Sequence, residues 1–443
     1  MVKEIIVVGA GLAGSECAFQ LANHGFAVRL VEIKPIKKSP AHTLDSFAEL
    51  VCSNSFRSDN LKSAVGLMHQ ELREMDSLII KIADKHRVPA GDALAVDRIA
   101  FSNEITEILQ SHPNISVVHE EFSNLAEVAK DNIVIIATGP LTSDNLNQEI
   151  MELIGEKSFN FFDAIAPIVY KDSIDFGNAW FQSRYDKGDG ADYINCGMNE
   201  SEYEVFYNEL INAEYMEFAE FEKDIPYFEG CLPLEVMANR GKQTLLFGPL
   251  KPVGLVNPHT QEQPFAVLQL RQDNALGSLY NMVGCQTKLK YNEQSRIFRL
   301  IPALRNAEFA KLGSIHKNTF INSPAVLDAD LSLKSHENIF FAGQITGCEG
   351  YVESTSTGLM CALFAAARLQ NKRIDIPKVS ALGAILNHIL EHKDNYQPSN
   401  INFGLFPDIK PENVKKIKKA DKKDLIVEQS LENIKKLKSN LNK

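Results

Sequence analysis

No stretch of this 443-residue chain approaches the roughly 20 consecutive apolar residues that cross a bilayer, so no membrane-spanning helix and no membrane partner are expected. The seven cysteines are odd in number and contain no CxxC pair, which argues against a disulfide framework and suits a reducing compartment. Their spacing also lacks a zinc signature, and no metal site is expected. The first residues enter a strand directly, so no secretory leader is expected, and a cytoplasmic location follows. There is no internal repeat. Tryptophan is nearly absent, and the single Trp180 is assigned to packing. Positive charge is in deficit overall, with a net charge of −11, which weighs against a nucleic-acid partner. That average hides an asymmetry: residues 408–443 carry eleven Lys against six Asp and Glu. A local basic surface therefore remains available for RNA.

What the chain does have begins at its first strand. The apolar run Ile5-Ile6-Val7-Val8 leads into Gly9-Ala10-Gly11-Leu12-Ala13-Gly14. Glycines at i, i+2 and i+5 after a strand and before a helix form a dinucleotide fingerprint. Gly9 allows the tight turn, Gly11 lets a pyrophosphate reach the backbone, and Gly14 lets the helix pack on its strand. The helix that follows, from about Ala13 to Asn23, points its free N–H groups at the phosphates. A second strand over residues 27–31 ends in Glu32, an acid suited to a ribose hydroxyl.

After Glu32 the βα rhythm breaks into a long polar loop over residues 34–60. Residues 61–83 carry helical apolar spacing, and Asp97 can cap the helix after it. Residues 133–136 form a second buried strand ending in the turn Ala137-Thr138-Gly139-Pro140. A third strand–glycine turn arrives at Phe341-Ala342-Gly343-Gln344, before a small-residue helix over 359–369. Two distant strand–glycine turns bracketing an insertion predict an α/β Rossmann-like FAD-binding domain that is discontinuous, with an inserted α+β substrate domain. The expected boundaries are 1–160 and 336–407 for the two FAD-binding parts, 161–335 for the inserted substrate domain, and 408–443 for a Lys-rich helical tail. FAD fits better than NAD alone because an isoalloxazine needs a distant second wall.

Two cysteines stand in turn-rich loops. Cys52 lies among Ser53, Asn54, Ser55 and Arg57, and Cys231 lies between Gly230 and the Leu232-Pro233 turn. A thiolate nucleophile needs nearby positive charge or hydrogen bonds, which Arg57 could supply to Cys52 and Arg240 to Cys231. Cys17 and Cys361 read as core residues, and core packing is favoured for Cys196, Cys285 and Cys348. Residues 244–248 read as a strand leading into a rigid Pro/Gly loop that ends at Gly254. Arg271 sits among polar neighbours, His316 and Lys317 follow a short turn, and Tyr351 could stack on a ring or anchor its loop.

In order and spacing these segments resemble the TrmFO family of folate- and FAD-dependent RNA uracil-5-methyltransferases. The most specific matches are Val51-Cys52-Ser53-Asn54-Ser55, Pro89-Ala90-Gly91 and Ala95-Val96-Asp97-Arg98. Further matches are residues 137–143, Glu229-Gly230-Cys231, the 247–254 loop, Gln269-Leu270-Arg271-Gln272 and Gly350-Tyr351-Val352-Glu353-Ser354. The resemblance implies FAD, methylenetetrahydrofolate as carbon donor and NAD(P)H as reductant. It implies that Cys231 adds to uracil C6 and that Cys52 serves proton transfer or shields the flavin. It places His316 and Tyr351 near the flavin–folate stack, and lets Arg271 meet folate or RNA charge. The expected product is 5-methyluridine at position 54 of the tRNA T-loop. Lys317 stands where the family has an arginine, and Gly197, Asp92 and Cys285 also depart from its pattern. A sister branch acts on 23S rRNA, so a ribosomal uridine is the alternative target; a flavin oxidoreductase that does not act on RNA ranks lower.

Overall fold

The four apolar residues of β1 (Ile5–Val8) have no polar face, and the chain buries all four. β1 pairs in parallel with β2 (Val28–Glu32) on one side and β7 (Ile133–Ile136) on the other. β6 (Ile115–His119) joins outside β2, and β16 (Ile339–Phe341) returns some 200 residues after β7 to pair with it. The result is a five-stranded parallel sheet in the order β16-β7-β1-β2-β6. β1, β7 and β16 read as continuous apolar runs and are buried throughout, as strands of a parallel sheet covered on both faces are. The computed structural model describes residues 4–39, 41–155, 159–186, 191–216, 227, 232–392, 396–408 and 419–441.

Three antiparallel strands, β3 (Ser55–Ser58), β4 (Arg87–Val88) and β5 (Ala93–Val96), form a small sheet beside the large one. The long polar loop is therefore interrupted by a strand immediately after the Cys52 motif. The apolar spacing over 61–83 resolves into two helices, α2 (Ala64–Glu74) and α3 (Leu78–Lys85). Asp76 breaks them by adopting φ +57°, and Ser77 caps the second by accepting from Ile80 N. Asp97 caps α4 (Arg98–Ser111) through Ile99 N and Ala100 N.

A second sheet takes β10 (Ala179–Phe181), β11 (Tyr193–Met198), β12 (Ala266–Gln272), β13 (Leu279–Met282), β9 (Ile168–Tyr170) and β14 (Phe309–Lys311) in that order, all antiparallel. β8 (Phe159–Ile165) and β15 (Ser314–Phe320) form an antiparallel pair. There are two main cores: one draws on residues 5–150 and 321–437, the other on residues 169–307. Return to the first core thus begins at Ile321, ahead of β16. Residues 244–247, read as a strand, form the short helix α5 (Thr244–Phe247). An apolar run of that length carries no periodicity that separates the two states.

α6 (Tyr351–Leu369) starts eight residues before the small-residue segment and packs on α1 (Leu12–Asn23). α8 (Lys419–Leu441) buries Ile426, Ser430, Ile434 and Leu437. It is tied to α2 and to α7 (Ala381–Leu390) by Glu71, whose carboxylate accepts from the Ser430 hydroxyl, Ala381 N (2.6 Å) and Leu382 N (2.9 Å). Burial pushes the Glu71 pKa up to about 7 against those three donors.

Candidate active site

At the first turn, each glycine has a different neighbour. A β-carbon on Gly9, which sits at φ +96°, would lie 2.7 Å from the Ala137 carbonyl oxygen. One on Gly14 would lie 1.8 Å from the Gly9 carbonyl oxygen, so α1 cannot approach β1 with any other residue there. One on Gly11 meets nothing within 4 Å. Gly11 is also the N-cap of α1, and no side chain caps that end. Uncapped N–H groups facing open space are the fit a pyrophosphate requires. Ala10, Leu12 and Ala13 are buried behind the turn. Glu32 accepts from Ala10 N (2.7 Å) and Lys34 N (2.9 Å), which sets its carboxylate at the mouth of a cleft also lined by Gly9, Gly11 and Thr138. Thr138 shares a 2.6 Å hydrogen bond with Thr142, and Gly139 takes φ +68°.

The late turn is seated on the early one. Gly343 (φ +82°) donates its N–H to Thr357 Oγ1 at 2.8 Å, and a β-carbon there would meet Ala13 Cβ at 2.9 Å. A β-carbon on Gly358 would meet the Ala13 carbonyl oxygen at 2.2 Å. Both glycines of the second segment thus close on the first turn of α1. The donors and the open glycine fit a dinucleotide such as FAD, which residues 9–14, Glu32, Thr138, Gly139, Gly343 and Gln344 would hold.

Cys52 is half-buried and is held by groups from three distant segments. Its backbone N–H donates to the Tyr351 hydroxyl oxygen (2.9 Å), and so does that of Ser53 (3.0 Å). Its thiol lies 3.8 Å from the Ala164 carbonyl oxygen. Tyr351, the first residue of α6, therefore anchors the loop; its ring stands edge-on to Phe56 with centroids 5.7 Å apart. Burial, then the nearby Cys52, pushes the Tyr351 phenol far above its ordinary range, so it stays neutral. Arg271, read as a contact for folate or RNA, is buried and donates instead to Asn54 Oδ1 (3.0 Å) and Ser53 Oγ (2.7 Å). Arg98 donates to the Leu50 carbonyl (2.8 Å) and forms a two-pronged pair with Asp273 (2.6 and 3.0 Å). Burial works against the Arg98 charge, but Asp273 prevails and raises its pKa.

Arg57 does not serve Cys52. Its guanidinium pairs with Glu353, a fully buried carboxylate in the first turn of α6 that also accepts from Ile401 N (2.7 Å). Gln344 donates to Glu349 at 2.5 Å. Burial, then the nearby Asp163, raises the Glu349 pKa well above the carboxylate range. His316 lies opposite Asp163 across the β8–β15 pair and shares a 2.9 Å hydrogen bond with Ser314 Oγ. Burial, then Lys311 and His42, lowers its pKa to about 4, so the ring is neutral at pH 7. Lys317, its neighbour on β15, is paired with residue 162 in register. Cys231, read as the nucleophile, lies outside the described residues. Cys17, Cys196, Cys285, Cys348 and Cys361 are all buried, and Trp180 packs against Leu255 and Val267. Among the described residues no group of His, Cys, Asp and Glu could hold a metal, and no helix is long and apolar enough to cross a membrane.

Sequence reasoning assigned no role to Arg98, Asp273, Glu349, Glu353 or Lys311. Arg98 stood inside a family-specific segment and Glu353 inside another, so motif membership was their only signal. Lys311 carried none.

The parallel sheet, the paired glycine turns and the cysteine loop beside them define an FAD-binding α/β protein of the Rossmann type. The model of the glucose inhibited division protein A family matches residues 4–373. Curated relatives are the Methylenetetrahydrofolate--tRNA-(uracil-5-)-methyltransferase TrmFO of Zymomonas mobilis, 58% identical over 94% of each chain, and the protein of the same name in Paramagnetospirillum magneticum, 55% identical over 98% of each. The chain belongs to the TrmFO family, within the wider glucose inhibited division protein A family. The solved structure of Aquifex aeolicus GidA superposes with a TM-score of 0.66 at 15% identity, covering 90% of this chain and 69% of that one, which shows the shared fold.

Proposed function

We propose that this chain is a cytoplasmic enzyme that methylates uracil C5 in the tRNA T-loop, at position 54, with methylenetetrahydrofolate as carbon donor and NAD(P)H as reductant. The observation that carries the reading is the convergence of both nucleotide turns on Ala13, with the Cys52 loop pinned beside the second, in a chain 58% identical to a named tRNA (uracil-5-)-methyltransferase. The relatives' names specify tRNA, which favours tRNA over a 23S rRNA uridine.

Bound FAD would supply the electrons that turn a folate-borne methylene into a methyl group. The chain's own residues do the rest. The Cys231 thiolate adds to uracil C6, which makes C5 nucleophilic enough to take the one-carbon unit; unaided, C5 is too weak. Cys52, whose backbone N–H donates to the Tyr351 hydroxyl, takes the C5 proton or keeps water away; that anchor supports the reading. Neutral His316 offers a flat, uncharged ring for the folate pterin beside Lys311.

The test incubates the flavin-loaded protein with tRNA transcript, methylenetetrahydrofolate and NADPH, and measures ribothymidine by nucleoside analysis, with 23S rRNA in parallel. Cys231→Ala is expected to lose activity by about 10³-fold or more while keeping its flavin spectrum. Methylation of rRNA alone would overturn the tRNA reading. Failure of Cys231 to form a covalent adduct with 5-fluorouridine RNA, in an otherwise active enzyme, would overturn its role.

A further inference from the structure

The surface outside the cysteine site carries one corner built at evident conformational cost. Tyr185 (φ +58°) and Asp186 (φ +51°) are consecutive non-glycine residues in the left-handed region. Such residues are strained, and they persist where surrounding structure holds them. Here Tyr185 N donates to the Gly254 carbonyl (3.1 Å), and the Tyr185 ring covers Gly254 so closely that a β-carbon there would lie 2.8 Å from Cε1. The strain does not bury the ring: Tyr185 is 58% exposed.

Arg184, next to it, is immobilised by neutral acceptors. Its guanidinium donates to the carbonyls of Val253 and Lys251 (2.9 Å) and to Gln269 Oε1 (3.1 Å). Among the described residues no carboxylate pairs with it. The groups that bear on its charge, after burial, are the Tyr185 and Tyr193 phenols, while the Asp186 carboxylate accepts from Gln182. The last residue of α5, Phe247, is 79% exposed, and the loop after it, whose Lys251 and Val253 carbonyls hold Arg184, exposes Val253 and Val256. An exposed ring beside a guanidinium held by neutral carbonyls suits a splayed base and its phosphate.

Position decides what this corner faces. Gln269 and Arg271 lie two residues apart on β12, on one face of the sheet, about 7 Å from each other. Gln269 receives Arg184, and Arg271 holds Ser53 and Asn54 beside Cys52. The corner is therefore the next station along the strand from the cysteine loop.

The geometry points to a docking surface for the single-stranded RNA flanking the reacting uridine, with Arg184 on a phosphate and the Tyr185 ring under an unstacked base. This rests on the reading of the chain as an RNA-modifying enzyme. Tyr185→Gly removes the ring and keeps the left-handed backbone without strain, so it tests the surface without threatening the fold. In the flavin-loaded enzyme it is expected to raise the Kd and KM for tRNA about tenfold and leave kcat within about twofold of the parent. Arg184→Gln is expected to lower the slope of log Kd against log salt by about 0.7. Phe247→Ala, at a site with little to lose in packing, is expected to raise Kd about threefold. Parental affinity and salt slope in all three variants would overturn the surface alone, and capture of a protein in place of RNA would do the same. If the parent enzyme itself binds no RNA, the RNA reading falls and the surface with it.

Discussion

The nucleotide turn and the Cys52 loop are built by opposite strategies, although they meet at the same end of α6. The turn is local. Gly9, Gly11, Gly14 and Glu32 lie within 24 residues, and their constraints act between neighbours: a glycine against the next helix, a carboxylate against the N–H of Ala10. The cysteine loop is assembled from afar. Tyr351 holds it from 299 residues away, Arg271 from 218, and Arg98 ties its own carbonyl contact at Leu50 to Asp273, 175 residues on. A binding turn that must reach a common phosphate can be carried as a cassette. A half-buried cysteine loop needs its backbone N–H groups satisfied by whatever the tertiary fold brings near.

The largest expected effect separates two glycines of the turn. Gly14→Val places side-chain atoms against the Gly9 carbonyl, where even a β-carbon has 1.8 Å, and is expected to cost on the order of 4 kcal/mol or to prevent folding. Gly11→Val has open space on the protein side, so its melting temperature should stay near that of apo-protein while the purified protein is colourless. A yellow Gly11→Val protein would break the assignment of this turn to the cofactor.

Next is the long-range frame. Arg98→Met leaves Asp273 buried without its partner and is expected to destabilise by about 3–5 kcal/mol, read by denaturant unfolding. Equal loss in the Arg98→Met/Asp273→Asn pair would show that the arginine acts through Leu50 rather than through the ion pair.

Tyr351→Phe tests the anchor itself. It leaves the N–H groups of Cys52 and Ser53 without their acceptor, at about 1–3 kcal/mol, and keeps the ring that packs on Phe56. Turnover should fall about tenfold with the flavin spectrum unchanged. Loss of flavin would instead make Tyr351 part of the nucleotide turn's machinery.

The smallest effect concerns charge. His316 should titrate near 4 in an NMR pH series rather than near its ordinary 6.5, because burial and then Lys311 oppose its protonation. As pH falls from 6.5 towards 4, the unfolded chain takes this proton first, so this group's contribution to stability declines across that window. Lys311→Met should move the midpoint upward; an unchanged midpoint would remove Lys311 as a cause and leave burial and His42.

The sequence by itself determined the nucleotide turn, the apolar parallel strands and the late glycine return, because steric limits on glycine and strand periodicity act over a few residues. It also marked Cys52 by its polar loop, and family resemblance added the wider segments. Only the tertiary structure decided how that loop is held. Arg57 looked like the thiol's cation until Glu353 arrived from α6 to take it. Arg271 looked like a ligand-facing charge until the fold put Ser53 and Asn54 in its reach. Residues 244–247 chose helix over strand, and the 61–83 segment broke at Asp76, for reasons their own residues do not state. For the two arginines the physical reason is the same. A long charged side chain spends its hydrogen bonds on whatever partner burial leaves without water, and that partner lies hundreds of residues away in the chain.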